Sequence, residues 1–253
     1  MQKRQFDKNG VIGIFNEGSE STVFQYVDKS GMEVALKFLK KEFVTPIKTE
    51  TIPYETFLNK ERKLLLLNQS EFLYDDEKPI DLYYIDDKFI GYSMPIDKYK
   101  GLDQFYSSSK KEKLVLLKKL KQKIEFLNKN NIYIGDFNTN NFGIRKNGSI
   151  KLRDIDNFSI GGLSFDRPTN LVKEYIKKCS NIKNIDNYSF NYFSIGFYTS
   201  QTPSSLERYL KEKGLPKKLD TEENKQLLED LENINDDYEQ RYLIDSQKKG
   251  LFR

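Results

Sequence analysis

The stretch from Asn131 to Ser159, NIYIGDFNTNNFGIRKNGSIKLRDIDNFS, leaves this chain few ways to fold. Ile132 to Ile134 is a short apolar run that delivers Asp136 into a turn of small polar residues ending at Asn141. Phe142 to Arg145 and Ser149 to Arg153 read as two strands. Between them stands Asn147-Gly148, which suits a tight two-residue hairpin because both residues tolerate positive φ. A hairpin there doubles the chain back, so Asn141 at its entrance and Asp154 at its exit come side by side. Amide and carboxylate oxygens so placed suit a hard cation such as Mg²⁺, commonly held by a few such oxygens plus phosphate oxygens. Asp156, also at the exit, is the next candidate ligand.

Asp136, four intervening residues and Asn141 reproduce the spacing of the protein-kinase catalytic loop, and Asp154 falls where that family carries its metal-binding aspartate. The chain therefore resembles a kinase-fold phosphotransferase, divergent and compact. The resemblance implies an α+β, two-lobed fold in a single domain spanning residues 1–253. A small antiparallel-sheet N-lobe with one helix would take residues 1–94, a hinge 95–101, and an abbreviated, mainly helical C-lobe 102–253. A chain of 253 residues can bury the core this needs, although it is short for two lobes.

Upstream, Val11 to Val27 holds two strand-like runs separated by NEGSES. On its own that segment is a β-turn. By the resemblance it is the loop whose backbone N–H groups close over the phosphates of ATP, with Gly18 in the central glycine position and Asn16 and Ser21 in the outer ones. Gly18, Ser19 and Val23 would then touch the nucleotide.

Met32 to Leu39 is apolar at nearly every position except Lys37, as in a strand buried on both faces. A lysine there needs a partner, because an unpaired buried ammonium is costly. Either Lys37 snorkels from an edge strand, or it is the lysine of VALK, which resembles the kinase V-A-I-K. The second reading puts Ala35 against the nucleotide and Lys37 on its α- and β-phosphates. From Tyr54 to Asn68 the residues Tyr54, Phe57, Leu58, Leu64 and Leu65 recur at helical spacing, widened by Leu66 and Leu67, with Glu61 amid the stripe. A carboxylate on a core-facing side needs a cation, and Lys37 is the expected partner, like the Lys–Glu pair of the kinase small lobe.

Leu82 to Met94 reads as two more strands joined by Asp86-Asp87, after which Pro95 and Gly101 break regular structure. By resemblance this is the hinge, with Met94 behind the adenine and the backbone of Pro95 to Asp97 hydrogen bonding it. Ser109 to Asn130 reads as a helix, from the capping box of Ser109 with Glu112 and the stripe Leu114, Leu117, Leu120, Ile124 and Leu127. Its lysines form the opposite, solvated face. Asp186 to Thr199 is an apolar, aromatic helix led by either Asp186 or Asn191. Thr169 or Asn170 starts an earlier helix, and Ser204 to Lys213 and Thr221 to Lys249 are later helical segments.

The departures from the family pattern bear on the acceptor. Ile134-Gly135 replaces the His-Arg before the catalytic aspartate, Asn138 replaces a lysine common in serine/threonine kinases, and Asp154-Ile155-Asp156 replaces D-F-G. With no histidine, every His-based triad, base or metal ligand is excluded. The lone Cys179 rules out an intramolecular disulfide and fits a cytoplasmic setting. Forty-two basic and thirty-eight acidic side chains are too evenly mixed to imply nucleic acid. No secretory signal opens the chain, and no apolar run approaches the ~20 residues that cross a bilayer. The resemblance thus implies ATP and Mg²⁺ as cofactors, Lys37 and Asp136 as catalytic residues, Asn141 and Asp154 as metal ligands, and a protein Ser/Thr hydroxyl as acceptor. A small-molecule acceptor and a non-catalytic nucleotide-binding scaffold are the alternatives.

Overall fold

Glu33–Leu39 (β4) buries Val34, Leu36, Lys37 and Leu39, so both of its faces are covered. Val34 and Leu36 pack on one face with Tyr26, Tyr83 and Ile90, while Leu39 joins the core shared with the helices. The computed structural model of the chain describes residues 1–18, 21–40, 54–96, 99–134, 137–160 and 182–229, with the backbone alone at 54–59, 182–185 and 203–204. The expectations for Ser19, Asp97, Asp136, Cys179, the helix start at Thr169 or Asn170, and most of Thr221 to Lys249 lie outside the described residues.

The architecture is α+β. Lys3–Gln5 (β1), Val11–Glu17 (β2), Ser21–Val27 (β3), β4, Leu82–Ile85 (β5) and Lys88–Pro95 (β6) form a sheet in the order β1-β5-β6-β4-β3-β2. Neighbours run antiparallel except β1 and β5, which are parallel, so the sheet is mixed rather than the antiparallel one expected. The cause is a short charged segment with little strand signal of its own. Phe6 N–H donates to Tyr84 O at 2.9 Å, Leu82 N–H donates to Gln2 O at 2.9 Å, and Arg4 forms an ion pair with Asp81. Asp86 and Asp87 both take positive φ, 47° and 60°, as a two-residue hairpin with the right twist requires.

Tyr54–Gln69 (α1) precedes β5, and Lys100–Gly101 (β7) follows the connector after β6. Lys110–Lys129 (α2) carries the expected capping box in full, with Leu117, Leu120, Ile124 and Leu127 buried. After it come Ile132–Tyr133 (β8), Phe142–Ile144 (β9), Ile150–Leu152 (β10) and Ser159–Ile160 (β11), then Ile182–Thr199 (α3) and Pro203–Lys213 (α4). Residues 222–229 are also helical. β10, β9 and β7 form a second sheet in that order, and β11 pairs with β8. The β9–β10 hairpin forms as expected, but its turn is longer: Arg145 N–H donates to Ser149 O at 3.0 Å and Gly148 N–H to Arg145 O at 2.8 Å, leaving residues 146–148 as the loop. Gly148 alone of that pair takes positive φ, 76°.

One apolar core runs from Leu39, Leu64 and Leu67 through Leu120, Leu127 and Phe142 to Phe193 and Phe197, joining the six-stranded sheet to the helices. No helix among the described residues is long and apolar enough to cross a membrane.

Candidate functional site

The ladder on either side of β4 gathers the site. Val23 and Tyr92 lie opposite Lys37, and Met94 lies opposite Ala35. Residues opposed across antiparallel strands share a face, and alternate residues along one strand do too. Val23, Ala35, Lys37, Tyr92 and Met94 therefore present to one side of the sheet. Pro95 closes β6 opposite Val34. The approach of β6 to β4 depends on Gly91, because a Cβ there would stand 2.0 Å from the Lys37 carbonyl oxygen.

Lys37 is buried, and its Nζ does not meet Glu61. It forms an ion pair with Asp154 and another with Asp156 Oδ1 at 2.8 Å. Glu61 Oε1 instead takes Lys3 Nζ at 3.1 Å and the Tyr84 hydroxyl at 2.5 Å. The expected Lys37–Glu61 pair is thus replaced, and the reason is the phase of α1. Among its described side chains Lys60, Lys63, Leu64 and Leu67 are buried, whereas Leu65 and Leu66 are exposed. The residue that α1 sends to the site is Lys60, whose Nζ lies 2.9 Å from Asp156 Oδ2.

Asp156 is fully buried and also accepts the Tyr92 hydroxyl at 2.8 Å. Burial by itself would raise its carboxyl, but Lys37 and Lys60 overcome that and hold it well below the usual carboxylate range. Burial likewise pulls the Lys37 ammonium down, and Asp156 and Asp154 reverse the sign, leaving it above its ordinary value. Tyr92 is pushed well up by burial and by the two aspartates, so its phenol stays a proton donor. Both Asp156 oxygens already face lysines, so service as the spare ligand would require it to give up Lys37 or Lys60.

Asp154 is the open member of the group, its side chain 35% exposed. Its second oxygen accepts from Asn157 Nδ2 at 3.2 Å. It sits at φ 55°, ψ 37°, a left-handed conformation that aspartate tolerates better than most residues. Arg153 N–H donates to Asn141 O at 2.9 Å, extending the hairpin ladder until buried Asn141 lies one residue from Asp154 in register.

The loop before Asn141 is held on both sides of its acidic residue. Ile134 N–H donates to Asp186 Oδ1 at 2.8 Å, and Asp186 is fully buried, so Asp186 rather than Asn191 leads α3 toward this loop. Phe137 packs against Phe142, Phe190 and Phe193 at ring separations of 5.8 to 6.2 Å. At the other end of the site, Gly18 N–H closes its turn on Ser21 O at 2.9 Å. A Cβ on Gly18 would meet only that oxygen, at 3.5 Å, so the turn itself does not demand glycine.

Asp154 and Asn141 offer hard oxygen donors, which fits an ion that takes the rest of its shell from phosphate and water. No group of three or more His, Cys, Asp or Glu side chains among the described residues could hold a metal without such help. A cavity of about 560 Å³ opens elsewhere, beside Tyr74, Lys119, Phe126 and Gly148, away from Lys37. Its position argues nothing for the charged site, where the converging side chains carry the chemistry.

Lys60 and Tyr92 extend the set expected from sequence. Tyr92 was legible as the residue two before Met94 on the same strand face, and Lys60 as the residue four before Leu64. No family model matches the chain, and no curated protein matches it.

Proposed function

We propose that the chain is an ATP- and Mg²⁺-dependent phosphotransferase of two-lobed, protein-kinase-like fold that acts on serine or threonine hydroxyls of proteins. The observation that carries this reading is the ion pair between Lys37 of the sheet and Asp154 of the hairpin exit, 117 residues apart in sequence. It joins a buried cation suited to phosphates to a partly open carboxylate suited to a divalent ion. Val23, Ala35 and Met94, on the same face as Lys37, supply apolar surface for the adenine, with Pro95 at the strand end.

In this reading Lys37 orients the α- and β-phosphates, and Gly18 belongs to the turn over them. Asn141 and Asp154 would hold Mg²⁺, which when bound neutralises charge on the phosphate oxygens. Asp136 accepts the proton of the attacking hydroxyl. Asp186 and the Phe137 ring cluster keep the flanks of its loop in place. Phosphoryl transfer asks mostly for positioning and charge neutralisation, so this short list is sufficient in kind.

A small-molecule acceptor is the second reading, favoured by Asn138. Its side chain caps its own turn, accepting from Asn140 N–H at 2.9 Å, and offers no cation to a peptide substrate. Incubation with labelled ATP and Mg²⁺, with and without cell lysate, tests both. Label in protein supports the first reading and label only in small solutes the second. No transfer to any acceptor overturns phosphotransfer and leaves a nucleotide-binding scaffold.

A further inference from the structure

Among the described residues, a polyphosphate approaching Lys37 meets four formal charges joined by ion pairs, not one. Lys37 and Lys60 face Asp154 and Asp156, and the positive and negative charges are equal in number. Asp156 is the hub, holding Lys37 on one oxygen and Lys60 on the other, and both lysine side chains are less than a tenth exposed. Were Lys60 absent, one ammonium would stand against two carboxylates, and the place where phosphates must sit would be net negative. Charges this close and this dry are weakly screened, so such an imbalance is felt by any anion nearby.

On the phosphotransferase reading, on which this rests, we propose that Lys60 is the second cation of a polyphosphate-binding site. It is a positioning residue that acts through Asp156: by balancing the carboxylate they share, it leaves the charge of Lys37 available to a phosphate anion. Tyr92 supports the same hub, because its hydroxyl donates to the oxygen that also holds Lys37. Asp156 thereby anchors Lys37, the part that Glu61 was expected to play, and it does so from the hairpin side rather than from the helix.

The proposal makes affinity follow the charge count. Lys60→Met leaves one ammonium against two carboxylates and should weaken Mg-ATP binding by about ten-fold or more, while adenosine, which has no phosphate, changes by less than about two-fold. Asp156→Asn leaves two ammoniums against one carboxylate but loosens the anchor of Lys37, to which its amide oxygen still offers a hydrogen bond, so its Mg-ATP affinity should fall by less than that of Lys60→Met. The double variant removes one charge of each sign and should return to within about three-fold of the parent.

Calorimetric titration of all four proteins with Mg-ATP and with adenosine, beside thermal unfolding of each, reads this series. Equal losses for Mg-ATP and adenosine in Lys60→Met, or a double variant as weak as Lys60→Met, make Lys60 merely structural and overturn the proposal alone. Parent protein that binds no Mg-ATP overturns the phosphotransferase reading with it. Should Lys60→Met not fold, the charge-balanced double variant and Asp156→Asn decide, and a double variant more than about ten-fold weaker than the parent refutes the idea.

Discussion

Strand β10 carries a buried charge cluster along its outer edge and another at its exit, and the two are built from different partners. On the outer edge Glu77 takes Arg145 at 3.0 Å and Lys123 at 3.1 Å, and it also accepts from the backbone N–H groups of Leu152 at 2.9 Å and Tyr74 at 3.0 Å. Arg145 adds a two-pronged grip on Asp76 at 2.6 and 2.7 Å. At the exit, the partners of Asp156 among the described residues are side chains: Lys37, Lys60 and the Tyr92 hydroxyl. Backbone amides cannot leave without unfolding the strand, whereas a lysine can trade a carboxylate for a phosphate. The outer cluster is therefore a fixed joint that locks the hairpin to the segment after α1, whereas the described partners of Asp156 at the exit are side chains.

On the proposed phosphotransferase reading, the largest effects should come from the two aspartates assigned to catalysis and to the metal. Asp136→Asn should cut turnover by ~10² to 10⁴-fold with Mg-ATP affinity nearly intact, the range for losing a general base. Asp154→Asn, which keeps a residue tolerant of left-handed backbone, should weaken both turnover and Mg-dependent binding while leaving the melting temperature close to that of the parent. Titrations with and without Mg²⁺ separate the two, and the opposite pattern would reverse the roles of these aspartates.

Glu77→Gln attacks the fixed joint. It removes the carboxylate from buried cations, so urea denaturation should show a loss of ~3–5 kcal/mol, the usual cost of breaking a buried pair from one side. Mg-ATP affinity of the folded protein should stay within about two-fold, equivalent to less than ~0.5 kcal/mol. A variant that loses affinity without losing stability would erase the distinction between the clusters.

Gly91→Ala should strike both properties at once. The new methyl meets the Lys37 carbonyl, β4 and β6 must part, and stability should fall by ~1–3 kcal/mol together with nucleotide affinity. The smallest effect is expected for Glu61→Gln, which keeps an oxygen for the Tyr84 hydroxyl and loses only an ion pair to Lys3, a side chain 67% exposed. Stability should drop by less than ~1 kcal/mol and Mg-ATP affinity should not change measurably. A large loss of affinity would restore Glu61 to the site.

The local grammar of this fold was legible where a residue's own backbone preference decides the outcome. Ser109 and Glu112 announce α2, Asp86-Asp87 the β5–β6 turn, and Asn147-Gly148 the hairpin, because each satisfies a backbone requirement within a few residues. The charged pairing in the site was legible only as a need. Lys37 visibly required an anion, but its choice of Asp154 and Asp156 over Glu61 depends on packing between distant segments. Over the described part of α1 the apolar stripe misled, since two of the buried side chains there are lysines and two leucines are exposed. A hydropathy pattern counts Lys60 and Lys63 as surface, which shifts the inferred face by about one residue, or ~100°. β1 was missed for a kindred reason: Lys-Arg-Gln has little strand preference, and its pairing rests on backbone bonds to β5.

The grip of Lys3 and Tyr84 on Glu61 has a mechanical side. Lys60 and Glu61 are neighbours on α1 and project ~100° apart, so fixing the direction of one sets the bearing of the other. Glu61 is turned toward β1 and β5, and Lys60 faces Asp156. The helix is thereby held from two sides, lightly where Glu61 meets an exposed lysine and firmly where Lys60 meets a carboxylate out of reach of water, and the dry contact fixes its bearing.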